Sequence, residues 1–297
     1  MKPPPFTYCD PESADEAVTL KSEYGTDSLV LAGGQSLLPM LTVRLVRPQA
    51  LIDINKIRDL QKIERCDDGL EIGAGVRQYE LEDLPLVGEL VPLLAEATGY
   101  IGHIENRHRG TVGGSLAHAD PAAELPCTAV ALDATVVVRG PSGTRAIAAR
   151  DFFQGRLTTA LEPEEVLVAV RYPVPPGTAG SSGHGFVEVA RRVGDLALAG
   201  AAAVVDLEAD GRFASVSVGV LGISDTPVRA FAVESALIGE DPTEENITRA
   251  AKEIVPSVTA GDDLRATRSY RRHLASVVVS RAITAAVARA RERRNGT

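Results

Sequence analysis

Apolar residues in the first part of the chain recur first at helical and then at strand spacing. A capping-box pattern at 13–16 begins a predicted helix, which Gly25 ends. The short apolar runs 28–31 and 51–54 have the length and composition of buried strands. Two strands with a connecting segment between them are typical of a βαβ-like unit, so residues 1–56 are predicted to form a small subdomain of this kind.

Residues 57–175 show a denser mixture of short strands and helices. The turn sequence Asp67-Asp68-Gly69 separates two runs of β-like composition, which predicts a hairpin. A stripe of apolar residues at helical spacing from Leu90 to Ile101 predicts a helix. The remaining predicted elements are a helix over 122–132 and strands over 134–138, 144–148 and 166–172.

The last part of the chain has strand-like runs first and helix-like runs afterwards. Pro, Gly and Ser dominate the segment from Pro173 to Gly185, which is therefore the predicted linker. Residues 176–297 are predicted to form an antiparallel sheet that carries helices, and the whole chain is assigned to the α+β class. The predicted strands are 186–190, 200–207 and 213–220, and the predicted helices are 228–238, 243–254 and 269–294.

Charge and cysteine content exclude several kinds of partner and site. A net charge of −9 argues against a nucleic-acid partner, because phosphate binding requires a basic face. Cys9, Cys66 and Cys127 are too far apart to build a disulfide framework or a local iron–sulfur site. The most apolar run, 196–205, is about half the ~20 residues that span a membrane. Since no apolar signal-peptide core is seen at its start, the chain is expected in the cytoplasm.

Two glycine-rich segments carry the candidate chemistry. The first, Ala-Gly-Gly-Gln-Ser at 32–36, follows a predicted strand, and we call it the first loop. The other, Gly-Thr-Val-Gly-Gly-Ser at 110–115, we call the second loop. Glycine lets a backbone approach a phosphate closely, and bare N–H groups and hydroxyls then act as donors. One Gly-Gly turn is more often structural than functional, but two such loops suit one pyrophosphate.

A longer pattern surrounds these loops. The chain carries Ala-Gly-Gly-Gln-Ser-Leu at 32–37 and Arg-x-Arg-Gly-Thr-x-Gly-Gly-Ser-Leu-Ala-His-Ala-Asp-Pro-Ala-Ala-Glu-Leu-Pro at 107–126. Both motifs resemble the FAD-binding medium subunit of molybdenum hydroxylases, the family that includes carbon monoxide dehydrogenase and the flavin domain of xanthine dehydrogenase. The chain departs from this family at 104–108, with Ile-Glu-Asn-Arg-His where the family usually has Pro-Gln-Ile-Arg-Asn. Leu196 stands where some carbon monoxide dehydrogenases have an aromatic residue near the flavin.

The resemblance implies a noncovalently bound FAD and a two-part FAD-binding domain, residues 1–56 and 57–175, followed by a C-terminal flavoprotein domain, residues 176–297. It implies that the first loop holds the pyrophosphate and that the second loop closes over it. Glu124 would then accept hydrogen bonds from ribose or adenine donors. The implied cofactor-binding residues are Ala32, Gly33, Gly34, Gln35, Ser36, Thr111, Gly114, Ser115 and Glu124, with Ile101 and Leu167 as apolar contacts.

The resemblance also implies an electron-transfer role. In such a complex FAD takes electrons from the 2Fe-2S clusters of a small iron–sulfur subunit and passes them to an external acceptor, while a large subunit holds the molybdenum cofactor. Because the cofactor carries the redox chemistry, we expect no catalytic residue and no metal ligand in this chain. His118 with Asp120, and His103 with His108, are therefore interpreted as structural residues.

Two other functions stay open at this point. One is a stand-alone FAD-dependent oxidase or dehydrogenase that acts directly on a small organic substrate. The other is a flavin-free nucleotide-binding or scaffold protein, since fold alone does not decide function. The resemblance further implies that an iron–sulfur partner docks around Arg191, Arg192 and Asp195. The alternative for this surface is an ion pair between Arg192 and Asp195 that holds a turn.

Overall fold

The computed structural model describes residues 2–67, 69–174 and 182–295 of the chain. They form three main sheets, of three, five and four strands, together with a two-stranded ribbon. Helices are interspersed among the strands throughout, which confirms the α+β class. Within these ranges no helix combines the length and the apolar character needed to cross a membrane.

The N-terminal unit is a small parallel sheet with two helices. Its elements are β1 (Thr7–Cys9), α1 (Ala14–Tyr24), β2 (Ser28–Leu31), α2 (Leu37–Thr42) and β3 (Ala50–Asp53). The strands lie in the order β1-β3-β2. Helix α1 begins where the sequence predicted, because the hydroxyl of Ser13 accepts a hydrogen bond from the N–H of Glu16 at 3.2 Å. Gly25, at φ +53°, ends it as predicted.

The middle unit is built on a five-stranded antiparallel sheet. Its strands are β4 (Ile63–Cys66), β5 (Gly69–Gly73), β6 (Thr135–Gly140), β7 (Gly143–Ala148) and β10 (Val166–Pro173), with a ribbon of β8 (Phe153–Gly155) and β9 (Thr158–Thr159). The strand order is β4-β5-β10-β6-β7. The predicted hairpin is confirmed, because β4 pairs with β5 in an antiparallel register that joins Cys66 to Gly69.

Seven helices in the described part of the middle unit cover this sheet and lead to the site. They are α3 (Gln78–Asp83), α4 (Pro85–Leu90), α5 (Pro92–Thr98), α6 (Ile104–Arg107), α7 (Val112–His118), α8 (Glu124–Ala131) and α9 (Ala149–Phe152). The prediction of one helix from Leu90 to Ile101 is wrong. Pro92 lacks an N–H group and restricts Val91, which lies at φ −137°, so the chain breaks there and starts a new helix.

The C-terminal unit is a four-stranded antiparallel sheet, in the order β11-β12-β13-β14, with three helices. The elements are β11 (Ser182–Val189), β12 (Ala199–Leu207), β13 (Phe213–Leu221), β14 (Val228–Arg229), α10 (Phe231–Ser235), α11 (Glu244–Ala251) and α12 (Arg268–Asn295). The helix predicted over 228–238 is too long, because Val228–Arg229 forms an edge strand against β13. Short 3₁₀ turns lie at Gly25–Asp27, Ile54–Lys56, Arg58–Gln61 and Lys252–Ser257.

The predicted linker is largely structured where it is described. Pro173 is the last residue of β10, and Ser182 is the first of β11. Residues 175–181 lie outside the described part. Gly183 allows close packing instead of flexibility, because a Cβ at this position would lie 1.9 Å from the carbonyl oxygen of Ala286 in α12.

The middle and C-terminal units share a buried core. Alternate residues of β12 face opposite layers, with Ala202 packed in the core of the middle unit and Ala201 in the core beneath α12. Across the same contact, Arg289 of α12 forms a bidentate ion pair with Glu96 of α5, at 2.6 and 2.8 Å. The domain limits 1–56, 57–175 and 176–297 stay predictions.

Candidate functional site

The first loop connects strand β2 to helix α2 at the carboxyl end of the parallel sheet. Gly34 lies at φ +72°, a conformation that favours glycine. Within the described chain, the backbone N–H groups from Gly33 to Ser36 donate no hydrogen bond to another residue. The side chains of Gln35 and Ser36 are exposed. A short run of free N–H groups around a left-handed residue is the kind of backbone concavity that binds anions.

The second loop is the start of helix α7 rather than an open turn. Thr111 is its N-cap, and the Thr111 hydroxyl accepts a hydrogen bond from the N–H of Gly114 at 3.0 Å. The N–H groups of Val112 and Gly113 donate to the carbonyls of Val76 and Ala74, at 3.0 and 2.9 Å. The expectation of bare N–H groups is therefore wrong for Val112, Gly113 and Gly114, because the cap and the backbone that follows β5 use them.

The two loops lie against each other. A Cβ on Gly33 would stand 2.2 Å from the carbonyl oxygen of Arg109 and 2.7 Å from the Cα of Gly110. A Cβ on Gly114 would stand 3.6 Å from the Cβ of Ala32. Glycine is thus required at position 33 by contact between the loops. The structure brings the two predicted segments together as one site.

Two residues that the sequence analysis did not single out hold the loops in place. The Asn55 amide donates to the carbonyl of Ala32 at 2.9 Å and accepts from Arg77 Nη2 at 2.6 Å. Arg77 Nη1 donates to the carbonyl of Arg109. This pair thus links the backbone of the first loop to the residue that immediately precedes the second. A usable signal was present, since Asn55 closely follows β3, and ligand-site residues commonly lie at the carboxyl ends of parallel strands.

Glu124 is the first residue of α8 and is only 6% exposed. Burial raises its pKa to about 7, and the nearby Asp120 carboxylate adds to the rise. Glu188 of β11 lies close enough for the two charges to interact, and burial together with Glu124 raises the pKa of Glu188 to about 8. The buried Oε2 of Glu188 has no hydrogen-bond partner within the described residues. Two buried carboxyl groups therefore face one region between the middle and C-terminal units.

The two predicted apolar contacts are part of the core of the middle unit. Leu167 of β10 is 5% exposed and belongs to the same cluster as Leu116 of α7, and Ile101 packs against that cluster. Both therefore pack in the core to which α7 also contributes. Their contacts with a nucleotide stay predictions.

The candidate histidines are engaged elsewhere. His108 stacks on Tyr79 with ring centroids 4.3 Å apart. The imidazole of His103 occupies the space beside Gly194, since a Cβ on Gly194 would lie 2.5 Å from its Cε1. Asp120 accepts a hydrogen bond from the N–H of Ala122 at 2.9 Å and so shapes the turn before α8. Among the described residues, no set of three or more His, Cys, Asp or Glu is placed to hold a metal ion.

The turn at 191–196 projects from the C-terminal unit. Val193 is 93% exposed, and Gly194 has φ +78°. The N–H of Asp195 donates to the carbonyl of Arg192 at 3.2 Å, so the backbone closes the turn. The Asp195 carboxylate accepts a hydrogen bond from the N–H of Leu196 at 3.1 Å. No ion pair joins it to Arg192 in the described chain, so the alternative expectation of a pair that holds this turn is wrong. Docking of a partner here stays a prediction.

Comparison with known proteins identifies the class of this fold and site. Residues 4–175 match the family described as the FAD binding domain in molybdopterin dehydrogenase, and residues 184–286 match the CO dehydrogenase flavoprotein C-terminal domain. The chain therefore belongs to the family of FAD-binding medium subunits of molybdenum hydroxylases and is part of an FAD-dependent oxidoreductase.

Individual relatives agree along nearly the whole chain. The chain is 36% identical over 291 residues to the 6-hydroxypseudooxynicotine dehydrogenase complex subunit alpha of Paenarthrobacter nicotinovorans, covering 98% of this chain and 97% of that protein. It is 37% identical over 289 residues to the carbon monoxide dehydrogenase medium chain of Hydrogenophaga pseudoflava, covering 97% of this chain and 99% of the relative. A solved carbon monoxide dehydrogenase from the same organism superposes with a TM-score of 0.93, at 38% identity, covering 97% and 99% of the two chains.

The residues present fit FAD. The free N–H groups of the first loop suit a pyrophosphate. Glycine at position 114 admits the capping hydroxyl of Thr111, from which a Cβ would lie 2.7 Å, and lets the second loop pack against Ala32. The Ser115 hydroxyl has no partner in the described chain and is available as a donor or acceptor. Buried Glu124 supplies an acceptor for sugar hydroxyls. Backbone N–H donors for the pyrophosphate, together with a hydroxyl and a carboxyl group for the sugar portion, are the polar groups that a dinucleotide requires.

Proposed function

We propose that this chain holds FAD as the electron-transfer subunit of a multi-subunit dehydrogenase, between the 2Fe-2S clusters of a small partner subunit and an external acceptor. A large partner subunit would hold the molybdenum cofactor. The observation that carries the proposal is the row of free N–H groups at Gly33–Ser36, closed on one side by the second loop.

The task of this chain's residues is to bind and orient the cofactor. The first loop binds the pyrophosphate through backbone donors, and the Asn55–Arg77 pair keeps both loops at a fixed distance. Ser115 and Glu124 orient the sugar portion through hydrogen bonds. Bound FAD supplies the redox chemistry, accepting electrons one or two at a time. Neither binding nor orienting the cofactor requires a nucleophile or a metal ligand from this chain.

The flavin site does not determine the substrate of the complete enzyme. Two relatives that match along their whole length are named for very different molecules, 6-hydroxypseudooxynicotine and carbon monoxide. We infer that a partner subunit selects the substrate, whereas the flavin subunit performs the same electron transfer in each enzyme. The flavin of this chain, loaded and isolated, is therefore expected to stay oxidised when small organic substrates are added.

A charge test at the first loop distinguishes phosphate binding from other roles. Ser36 is exposed and precedes α2, where an acidic residue is tolerated by the helix. Ser36→Asp places a carboxylate beside the bound pyrophosphate and is expected to weaken FAD binding about 10- to 100-fold through like-charge repulsion. Ser36→Asn, which has the same shape without the charge, is the matched control. Equal FAD affinity of the two variants in a fluorescence titration would refute phosphate binding at this loop.

Electron transfer is tested separately. The FAD-loaded chain is mixed anaerobically with a chemically reduced 2Fe-2S ferredoxin, and the loss of flavin absorbance is followed. Reduction by the ferredoxin and not by added organic substrates is the expected result. Rapid bleaching by a small substrate alone would instead support the stand-alone oxidase or dehydrogenase.

A further inference from the structure

The segment 102–109, which contains helix α6, lies between the first loop and the turn at 191–196. We call it the connecting segment. Its contact with the first loop is a hydrogen bond in which the Asn106 side-chain amide donates to Gln35 Oε1 at 3.0 Å. Gln35 donates in turn to the carbonyl of Gly33 at 3.2 Å. The orientation of the Gln35 side chain is therefore set from the connecting segment.

Asn106 also organises the connecting segment itself. Its Oδ1 accepts a hydrogen bond from the N–H of His103 at 3.0 Å. Its backbone carbonyl accepts from the N–H of Gly110 at 2.6 Å, the first residue of the second loop. A single residue thus contacts the first loop, the second loop and His103.

The far end of the connecting segment reaches the C-terminal unit. The His103 imidazole fills the space beside Gly194, with three of its ring atoms within 2.9 Å of where a Cβ would stand. Gly194 is the left-handed residue of the turn at 191–196. Any displacement of His103 therefore changes the room available to this turn.

The connecting segment is anchored at Arg107. Arg107 forms a bidentate ion pair with Glu82 of α3, and its Nη1 donates to the carbonyl of Ile101 at 3.1 Å. Contacts therefore run without a gap from Gln35 through Asn106 and His103 to Gly194, along a segment that is held in place.

We propose that Asn106 is a positioning residue that orients Gln35 at the pyrophosphate and, through His103, couples FAD binding to the turn at 191–196. This inference rests on the proposed FAD function. An apolar side chain at position 106 could make neither of these hydrogen bonds.

The test compares three variants with the wild type. Asn106→Ile removes both side-chain hydrogen bonds, and His103→Ala removes the imidazole from Gly194 while leaving its backbone N–H for Asn106. Glu105→Ala, at an exposed neighbouring position on the same helix, is the matched control. FAD affinity is measured by fluorescence titration, folding by the melting temperature without FAD, and the turn by hydrogen–deuterium exchange of the peptide containing 191–196.

In the wild type, FAD is expected to slow exchange in the turn. Asn106→Ile is expected to bind FAD about tenfold more weakly, with the FAD-dependent slowing lost even at saturation. His103→Ala is expected to keep the wild-type affinity and lose the slowing, and Glu105→Ala to keep both. These differences separate positioning from a merely structural role, which would lower the melting temperature alone.

The outcomes distinguish this inference from the function on which it rests. If the wild type binds FAD and the slowing persists in both Asn106→Ile and His103→Ala, the coupling is refuted while the proposed function stands. If Asn106→Ile binds FAD with wild-type affinity, its role in positioning Gln35 is refuted. If the folded wild type binds no FAD, the proposed function fails and this inference fails with it.

Discussion

The backbone of Gly33 lies directly against the carbonyl of Arg109, so closely that a Cβ at position 33 would stand 2.2 Å from that oxygen. Gly33 belongs to the first loop, and Arg109 immediately precedes the second. Their contact is what turns two glycine-rich segments into one site. Because both partners are backbone atoms, neither can move aside without distorting its loop.

Gly33→Ala is therefore expected to separate the loops. The new methyl group meets backbone atoms on its closest side, and overpacking of this kind destabilises proteins by about 1–3 kcal/mol. FAD binding should be lost or strongly weakened, as measured by the flavin content of the purified protein. Gly88→Ala is the control, because its Cβ would meet nothing within 4 Å. Full flavin loading of Gly33→Ala would contradict the assignment of this contact.

The hydroxyl of Thr111 caps helix α7 and is expected to contribute to both stability and cofactor binding. Thr111 is 2% exposed, and its oxygen accepts from the N–H of Gly114. Thr111→Val leaves that N–H without a partner and is expected to lower the free energy of unfolding by about 1–2 kcal/mol. Thr111→Ser keeps the cap and should stay near the wild type. Chemical denaturation of the two variants without FAD measures the difference, and equal stability would show that the cap is dispensable.

Asn55 and Arg77 are expected to act as a unit. Asn55→Leu removes the hydrogen bond to Ala32 and the one from Arg77, and Arg77→Met removes the link to Arg109. Each single variant is expected to weaken FAD binding about tenfold. The double variant should be little worse than either, because the interaction is already broken. A double-mutant cycle of FAD dissociation constants checks this, and additive effects would mean that the two residues support the loops independently.

Glu188 and Glu124 are expected to make the folded chain less stable as the pH rises. The pKa of Glu188 is raised to about 8 in the folded chain, so the folded state holds its proton over a range in which the unfolded state has lost it. This contribution to stability is fully present below the ordinary glutamate pKa and is lost as the pH rises through about 8. Glu124, with a pKa raised to about 7, acts in the same direction.

Replacing Glu188 with Gln removes one of these protons and the repulsion between the two charges. The melting temperature of the wild type is expected to fall between about pH 6 and about pH 9, and that of Glu188→Gln to fall less. The exposed Glu105→Gln serves as a control with the wild-type slope. An identical slope for Glu188→Gln and the wild type would show that Glu188 is ionised at neutral pH.

Local patterns predicted much of the secondary structure because the interactions that decide it are local. The cap at Ser13 and the hairpin around Gly69 depend on neighbours a few residues away. The error at the predicted linker arose where a distant contact took over. Gly183 suggested a flexible linker by composition, whereas its lack of a side chain admits the backbone of Ala286.

The sequence by itself determined the family, the cofactor and the two glycine-rich loops, since motifs of this kind record which backbone positions must lie close to a ligand. Only the tertiary structure decided how the site is assembled. The contact of Gly33 with Gly110, the bridge through Asn55 and Arg77, and the chain from Gln35 through Asn106 join segments far apart in sequence. Apart from the position of Asn55 just after β3, such contacts leave no periodic or local signal, because they form only when packing of separate elements has fixed their distance.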